Sequence, residues 1–289
     1  MSLNTADASL REFSFSDEDF RALARMARTE FGLSLADSKK PLVYSRLARR
    51  LRARKVPGFQ DYMVLLQQQN ESEERLELIS ALTTNVTSFF REKHHFETLE
   101  NILKPDVYDG RRFRIWSAGC SSGQEPYSIA MTLLNAHPDA ASKDMRVLAT
   151  DIDPIVVKRA RAGRYSQEER ASIPEPTRTR WTDIADDASD LFTIKSDAQC
   201  LITFGELNLM EGWPFKGPFD AIFCRNVAIY FDQETQQALW SRFADMLKEG
   251  GTLFIGHSER ISGPALNQFQ TAGVTTYRKT AKSGGAISN

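Results

Sequence analysis

The stretch RFRIWSAGCSSGQEPYSIAM, residues 112–131, starts as a buried-strand pattern, passes through glycines and serines, and resumes as an apolar helical pattern. Small residues between a strand and a helix let the backbone come close to a ligand, most often a nucleotide. A phosphate-cradling loop needs a lysine after its second glycine, and GCSSGQEP has none. The dinucleotide fingerprint fails as well, because Gly119 and Gly123 are spaced G-x-x-x-G and Glu125 would set a negative charge beside a pyrophosphate. The loop therefore suits a nucleoside-like ligand without phosphates, preferably a cationic one.

S-adenosylmethionine meets that description, joining adenosine to a sulfonium and an amino-acid end. Two acids are placed for it. Glu125 opens the helix after the loop, and Asp151 ends the next strand pattern, VLATDID, where an acid in a Rossmann-like fold accepts hydrogen bonds from ribose hydroxyls. Asp151 reads equally well as a helix cap, although Asp153, directly before Pro154, is the better capping candidate.

Around this loop the chain alternates apolar strand-like runs (MRVLATDID, FDAIFCRN, GTLFIGHS) with helical segments, the texture of a doubly wound α/β sheet. Ahead of it lie helical patterns only. SFSDEDF offers a Ser/Asp cap, Gly32 a stop, and three further helical runs follow before residue 82. The expected organisation is a flexible tail at 1–14, a helical domain at 15–82, and a Rossmann-like methyltransferase domain at 83–289. The stretch 173–205 breaks the rhythm and is read as an inserted β-subdomain whose hairpin uses DLFTIKS and CLITFGE.

Composition narrows the classes. Across 289 residues, 37 Lys and Arg balance 38 Asp and Glu, so attraction to a charged partner must come from local clustering. Apolar runs are strand-sized and no signal segment follows Met1, so a cytoplasmic protein without membrane insertion is expected. Three scattered cysteines suit reduced structural thiols. His94 and His95, adjacent on a helix, are read as surface residues pointing different ways, and GHSER lacks the second glycine of a hydrolase elbow.

Five blocks in order, TTNVTSFFRE, WSAGCSSGQEPYSIAM, ATDID, FDAIFCRNVAIYFD and GTLFIGHSE, resemble the chemotaxis receptor methyltransferases, the CheR family, over about residues 15–280. The resemblance implies transfer of a methyl group from S-adenosylmethionine to glutamate side chains on chemoreceptor cytoplasmic helices. The products are methyl esters and S-adenosylhomocysteine, formed without a metal. It places Asn85, Thr87 and Arg91 near the methionine part and the transfer site, and Gly119, Glu125 and Asp151 at the cofactor. It also sets Asn208 and Leu209 beside the adenine, with Arg225 and Asn226 at the end of the FDAIFC strand. Arg91 and Tyr230 are the candidate catalytic residues, orienting the acceptor carboxylate. The chain departs from the family in having Gln124 where an acidic pair is common, Ala228 where a larger apolar residue is usual, and no glycine-rich turn in the insertion. The last point leaves open whether a receptor C-terminal peptide docks through the β-subdomain.

Between Lys39 and Lys55 eight basic residues occur with no acidic one. Leu42, Leu47 and Leu51 give this helix an apolar side, and Arg46, Arg49, Arg50 and Arg54 are expected on an outer face that docks acidic receptor helices. Nucleic acid is the competing partner, but CRNVAIY stands where base-methylating enzymes carry an N-P-P-Y-like stretch. A non-catalytic receptor-binding adaptor is the third reading. The expected protein is a monomer that binds no nucleic acid.

Overall fold

The structure, a computed structural model, describes residues 12–105, 107–185 and 190–281, and the chain divides into two compact units. Described residues up to Asn85, with Tyr230–Asp232, make the first; Val86–Ile229, with the described residues from Gln233 onward, make the second. Most of the expected flexible tail lies outside the described residues. Its last part is anchored: Phe13 donates its backbone N–H to the Tyr44 hydroxyl at 3.3 Å and Glu12 pairs with Arg52 at 2.9 Å.

The described residues of the first unit hold four α-helices, α1 (Asp17–Phe31), α2 (Lys40–Arg54), α3 (Phe59–Leu66) and α4 (Ser72–Leu82). Ser16 and Asp19 form a reciprocal capping box that opens α1, and Gly32 closes it at φ +72°. Val43, Leu47 and Leu51 bury one stripe of α2, whereas Leu42 is exposed. The arginines of α2 do not form the expected open stripe. Arg46 donates to the carbonyls of Ala81, Leu82 and Thr83, satisfying orphan acceptors at the end of α4. Arg50 makes a bidentate pair with the buried Glu74 at 2.6 and 3.0 Å and reaches Glu77 at 2.9 Å, and Arg54 pairs with Glu71 at 2.7 Å. Tyr62 donates its hydroxyl to Glu74 at 2.7 Å, and burial together with that carboxylate raises its pKa. Arg49 alone of the four expected docking arginines is exposed.

The second unit contains α5 (His94–Ile102), β1 (Phe113–Ala118), α6 (Gln124–Ala136), β2 (Met145–Asp151), α7 (Pro154–Ala162), β3 (Arg164–Ser166), α8 (Gln167–Arg170), α9 (Glu175–Trp181), β4 (Thr182–Ile184), β5 (Leu191–Ile194), α10 (Ser196–Gln199), β6 (Ile202–Glu206), β7 (Phe219–Cys224), α11 (Gln233–Met246), β8 (Leu247–Ile255), β9 (Phe269–Gly273) and β10 (Thr276–Lys279). Seven strands form one sheet in the order β6-β2-β1-β7-β8-β10-β9. The first five are mutually parallel, and β10 and β9 run antiparallel at the far edge.

Both faces of the sheet are covered, as a parallel sheet requires. Ile115 and Phe223 join α5 and α6 in one core, while Trp116, the next residue of β1, turns to the other face and meets Phe243 of α11 at 5.3 Å. Chain order reverses between β1 and β7, the point where such sheets open a ligand crevice at the C-terminal strand ends.

The insertion is smaller and earlier than expected. DLFTIKS supplies β5, the centre of a separate antiparallel sheet ordered β3-β5-β4, but CLITFGE supplies β6, which pairs with β2 from Val147↔Ile202 to Asp151↔Glu206 as the edge of the main sheet. The expected hairpin is therefore two strands in two different sheets, and β3, which precedes the expected insertion, carried no reading from the sequence. The tip between β4 and β5, where a glycine-rich turn was sought, lies largely outside the described residues. No helix among the described residues is long and apolar enough to cross a membrane.

Removing one partner of a buried ion pair leaves the other charge uncompensated. Glu74→Ala is expected to lower the stability of the helical unit by about 3 kcal/mol in urea unfolding, and Arg49→Ala to change it by about 0.5 kcal/mol or less. Equal effects would contradict the assignment of the α2 arginines to internal pairing.

Candidate active site

The loop after β1 is built from main-chain hydrogen bonds to β2. Gly119 and Cys120 donate to the Thr150 carbonyl at 2.8 and 2.9 Å, which holds the loop against the end of the neighbouring strand. Gly119 stands at φ +91°, and a Cβ there would lie 2.3 Å from Cγ2 of Val227. Glycine is thus required on two grounds, conformation and approach. Gly123 at φ +100° opens α6, and Tyr165 secures the loop by donating its hydroxyl to the Ser122 carbonyl at 2.7 Å.

Asp151 occupies the end of β2 and is half-buried. Its Oδ2 accepts the Ser121 N–H at 2.7 Å and its Oδ1 the Asp153 N–H at 3.1 Å. Burial pushes its carboxyl up to about 6 against these backbone donors. Capping of α7 belongs to Asp153, which accepts from Ile155 N–H at 2.9 Å ahead of Pro154. Asp151 is thereby left at the crevice, beside the loop after β6, since Leu207 N–H donates to its carbonyl at 2.9 Å. In that loop Asn208 Oδ1 accepts from Met210 N–H at 3.0 Å, and the Leu209 carbonyl accepts from Arg242, whose guanidinium lies 3.8 Å over the Trp213 ring.

Glu125, on the first turn of α6, is buried. Ser117 donates to its Oε1 at 2.7 Å and Arg225 Nη1 to its Oε2 at 3.1 Å, while burial raises its pKa against those partners. Arg225 is therefore directed into the protein. Its Nη2 reaches the Arg91 carbonyl and lies 3.5 Å from Glu92 Oε2. Thr87 is half-buried, as is Arg91, which donates to the Val86 carbonyl at 3.0 Å and so closes its own turn. Phe90 and Glu92 flank Arg91 at φ +54° and +57°, conformations that residues with a Cβ adopt only when their surroundings hold them.

The structure thus gathers Gly119, Glu125, Asp151, Arg225, Asn226 and the Arg91 segment in the second unit. Exposed Asn85 and half-buried Tyr230 fall to the first. Tyr230 accepts the Ser34 N–H on its carbonyl at 2.7 Å and donates its hydroxyl to the Thr84 carbonyl at 3.1 Å.

Two acids escaped the sequence analysis. Glu259 of GHSE accepts four backbone N–H groups, from Asn226, Val227, Ile229 and Gly256 at 2.5–3.2 Å, and so binds the loop after β7 to the end of β8. Glu92 was quoted within TTNVTSFFRE without a role. The reading of His94 and His95 as surface residues is corrected too. His95 is fully buried, bonds the Thr275 hydroxyl at 2.9 Å, and is pushed down to about 3 by burial and by Arg225. The two rings lie 4.2 Å apart, and with Glu92 they bring ligand-type atoms within 4.8 Å of one another. The Arg225 guanidinium lies beside them, 3.5 Å from Glu92 Oε2. Of the cysteines, Cys120 and Cys224 are buried and Cys200 is exposed.

Two carboxyl groups raised by burial, one on the first turn of a helix and one at a strand end, together with a loop devoid of lysine, suit a ligand that brings hydroxyl donors and positive charge. The family comparisons agree. The CheR methyltransferase SAM binding domain matches residues 85–278 and the CheR methyltransferase all-alpha domain matches residues 18–83. A Rhizobium etli protein named "Probable chemotaxis protein methyltransferase" is 47% identical over 262 residues, 89% of this chain and 98% of that protein. The chemotaxis protein methyltransferase of Escherichia coli is 40% identical, covering 91% of both chains, and chemotaxis protein methyltransferase 2 of Pseudomonas aeruginosa is 39% identical, covering 92% of this chain and 95% of that one. With both domains matched and such identity over nearly its whole length, the chain belongs to the CheR methyltransferase family.

Proposed function

We propose that the protein esterifies glutamate side chains on the cytoplasmic helices of chemoreceptors, with S-adenosylmethionine as methyl donor and no metal, and that it works in the cytoplasm as a monomer. The observation that carries the reading is the placement of Asp151 and Glu125 at the C-terminal ends of a parallel sheet, next to a loop with no phosphate-binding residue. Family membership narrows it to chemotaxis. Nucleic acid as substrate and a catalytically silent adaptor are the competing readings.

Bound there, S-adenosylmethionine supplies a methyl group on a positive sulfur, which a carboxylate oxygen takes in line while the C–S bond breaks and the electron pair stays on sulfur. An ionised carboxylate is already a nucleophile at neutral pH, so no general base has to be found. What the chain must supply is position and the exclusion of water. Asp151 accepts the ribose hydroxyls, Glu125 faces the ammonium end, and Gly119 lets the main chain approach the ligand. Asn208 and Leu209 flank the adenine, and Asn85, Thr87 and Asn226 complete the cofactor's surroundings. By the family likeness Arg91 and Tyr230 orient the acceptor carboxylate. Receptor helices rich in glutamate would meet the exposed basic residues of the helical unit, among them Lys39, Arg49 and Lys55. Arg46, Arg50 and Arg54 serve the unit's own stability instead. Docking of a receptor-tail peptide on the β3-β5-β4 sheet is a further option for the same complex.

Labelled S-adenosylmethionine incubated with receptor cytoplasmic fragments should give label that base releases as methanol, undiminished by chelator. Label stable to base, or activity lost with chelator, would overturn the reading. Arg91→Ala is expected to lower that transfer about 10-fold or more by misplacing the acceptor, and Tyr230→Phe to lower it while the fold is retained. Cofactor binding should also depend on pH. As pH falls through about 6, free Asp151 takes up a proton and loses the charge that strengthens its hydrogen bonds from the ribose hydroxyls, so the dissociation constant of S-adenosylhomocysteine should rise up to about tenfold per pH unit below that point. Calorimetry should find this slope in the wild type and lose it in Asp151→Asn; a flat wild-type profile contradicts the ribose assignment.

A further inference from the structure

The segment that carries Arg91 is held from one helix by two routes. Ser128 of α6 accepts the Phe90 N–H directly at 2.9 Å. Glu125, one turn earlier on α6, holds Arg225 at 3.1 Å, and Arg225 in turn donates to the Arg91 carbonyl. The two positive φ angles at Phe90 and Glu92 show that this turn does not relax to an ordinary conformation, so something must clamp it.

One guanidinium therefore touches both the acid assigned to the cofactor's ammonium end and the main chain of the arginine assigned to the acceptor. It is buried, with its side chain 3% exposed, and a buried guanidinium stays in place only if its charge is met locally. Glu125 meets part of that demand from one side. Glu92, its side chain 12% exposed, meets it from the other, with Oε2 at 3.5 Å from Nη2. Glu92 is itself walled in. Its Oε1 faces the His257 N–H and ring nitrogen at 3.4 Å, and its Oε2 faces Nδ1 of buried His95 at 3.6 Å. His94 is the remaining ionisable group of the cluster, and Phe96 lies under the guanidinium at 5.8 Å. Glu92 Oε2 and Arg225 Nε are buried without a hydrogen-bond partner, so the two side chains are fixed by charge and enclosure more than by saturated hydrogen bonding.

We propose that Glu92 is a positioning residue for methyl transfer: with Glu125 it grips Arg225 from two sides, and Arg225 fixes the main chain of Arg91 in register with the cofactor end of α6. The inference rests on the proposed role of Arg91 in orienting the acceptor. It assigns Glu92 no contact with either substrate. Cofactor and acceptor are set against each other through one side chain, and a shift at Glu125 is transmitted to Arg91 without passing through solvent.

The test is a double-mutant cycle of Glu92→Gln and Arg91→Ala, read as kcat and KM on receptor fragments, with S-adenosylhomocysteine affinity measured by calorimetry on each variant. Gln keeps the size of the side chain and removes its charge. Glu92→Gln alone should lower kcat about 10-fold with S-adenosylhomocysteine affinity little changed, while the loss of one counter-charge to buried Arg225 lowers the thermal stability of a still folded protein. In its background Arg91→Ala should cost much less than it does in the wild type, because the arginine is already misplaced. If Glu92→Gln does not fold, Arg225→Lys replaces it, since a lysine keeps the charge but cannot hold Glu125, Glu92 and the carbonyl together, and the same non-additive loss is expected. Multiplicative losses, a kcat equal to wild type, or a fall in cofactor affinity that accounts for the whole effect would each overturn the inference. A wild type that esterifies no receptor glutamate would overturn the proposed function, and this inference with it.

Discussion

A guanidinium taken out of water must find its counter-charge where it stands, and in this protein that requirement fixes the site. Arg225 follows β7, the strand beside which chain order reverses, and its side chain turns inward to Glu125 on α6 and Glu92 ahead of α5. Three elements distant in sequence are thereby tied at one point. Glu259 does the same for the main chain just beyond, gathering three N–H groups of the loop after β7 and that of Gly256 after β8, which would otherwise be orphaned. The loops at the open ends of the parallel strands are thereby tied down by buried polar groups, and catalysis by positioning needs such anchoring.

The helical unit solves an analogous problem with different residues. Glu74 sits almost fully buried among helices and is neutralised by Arg50, bonded by Tyr62, and approached by Arg54 at 3.5 Å. A basic helix that lacks acids of its own is therefore less a charged surface than one half of a helix pair, with α4 supplying the other half. Only the arginines that α4 does not use remain to face an acidic partner, and exposed pairs of that kind are individually weak, near 0–1 kcal/mol. Weak, salt-sensitive docking would suit the proposed transfer, in which the protein leaves one glutamate for the next.

Local chemistry was legible in the sequence. The Ser16 cap, the Gly32 stop, the Asp153 cap before Pro154 and the tight loop at Gly119 each depend on residues a few positions apart, and each stands where the sequence put it. Long-range pairing was not. CLITFGE alternates like a hairpin strand, and nothing within it shows that its partner is β2, fifty-odd residues upstream. Arg46, Arg50 and Arg54 looked free because the carbonyls and acids that hold them lie in or beside α4, and His95 looked exposed because its burial is set by Thr275 and β8, distant in sequence. Glu92 and Glu259 carried no local signal beyond their charge; their roles arise only when the fold brings donors from several strands to them.

The account stands or falls on where the methyl group goes. Receptor cytoplasmic fragments treated with the protein and S-adenosylmethionine at neutral pH can be digested and read by tandem mass spectrometry, residue by residue. Methyl groups confined to glutamate side chains, and removed by mild base, are the predicted result. Methyl groups on lysine, arginine or backbone nitrogen, which base does not remove, would contradict it.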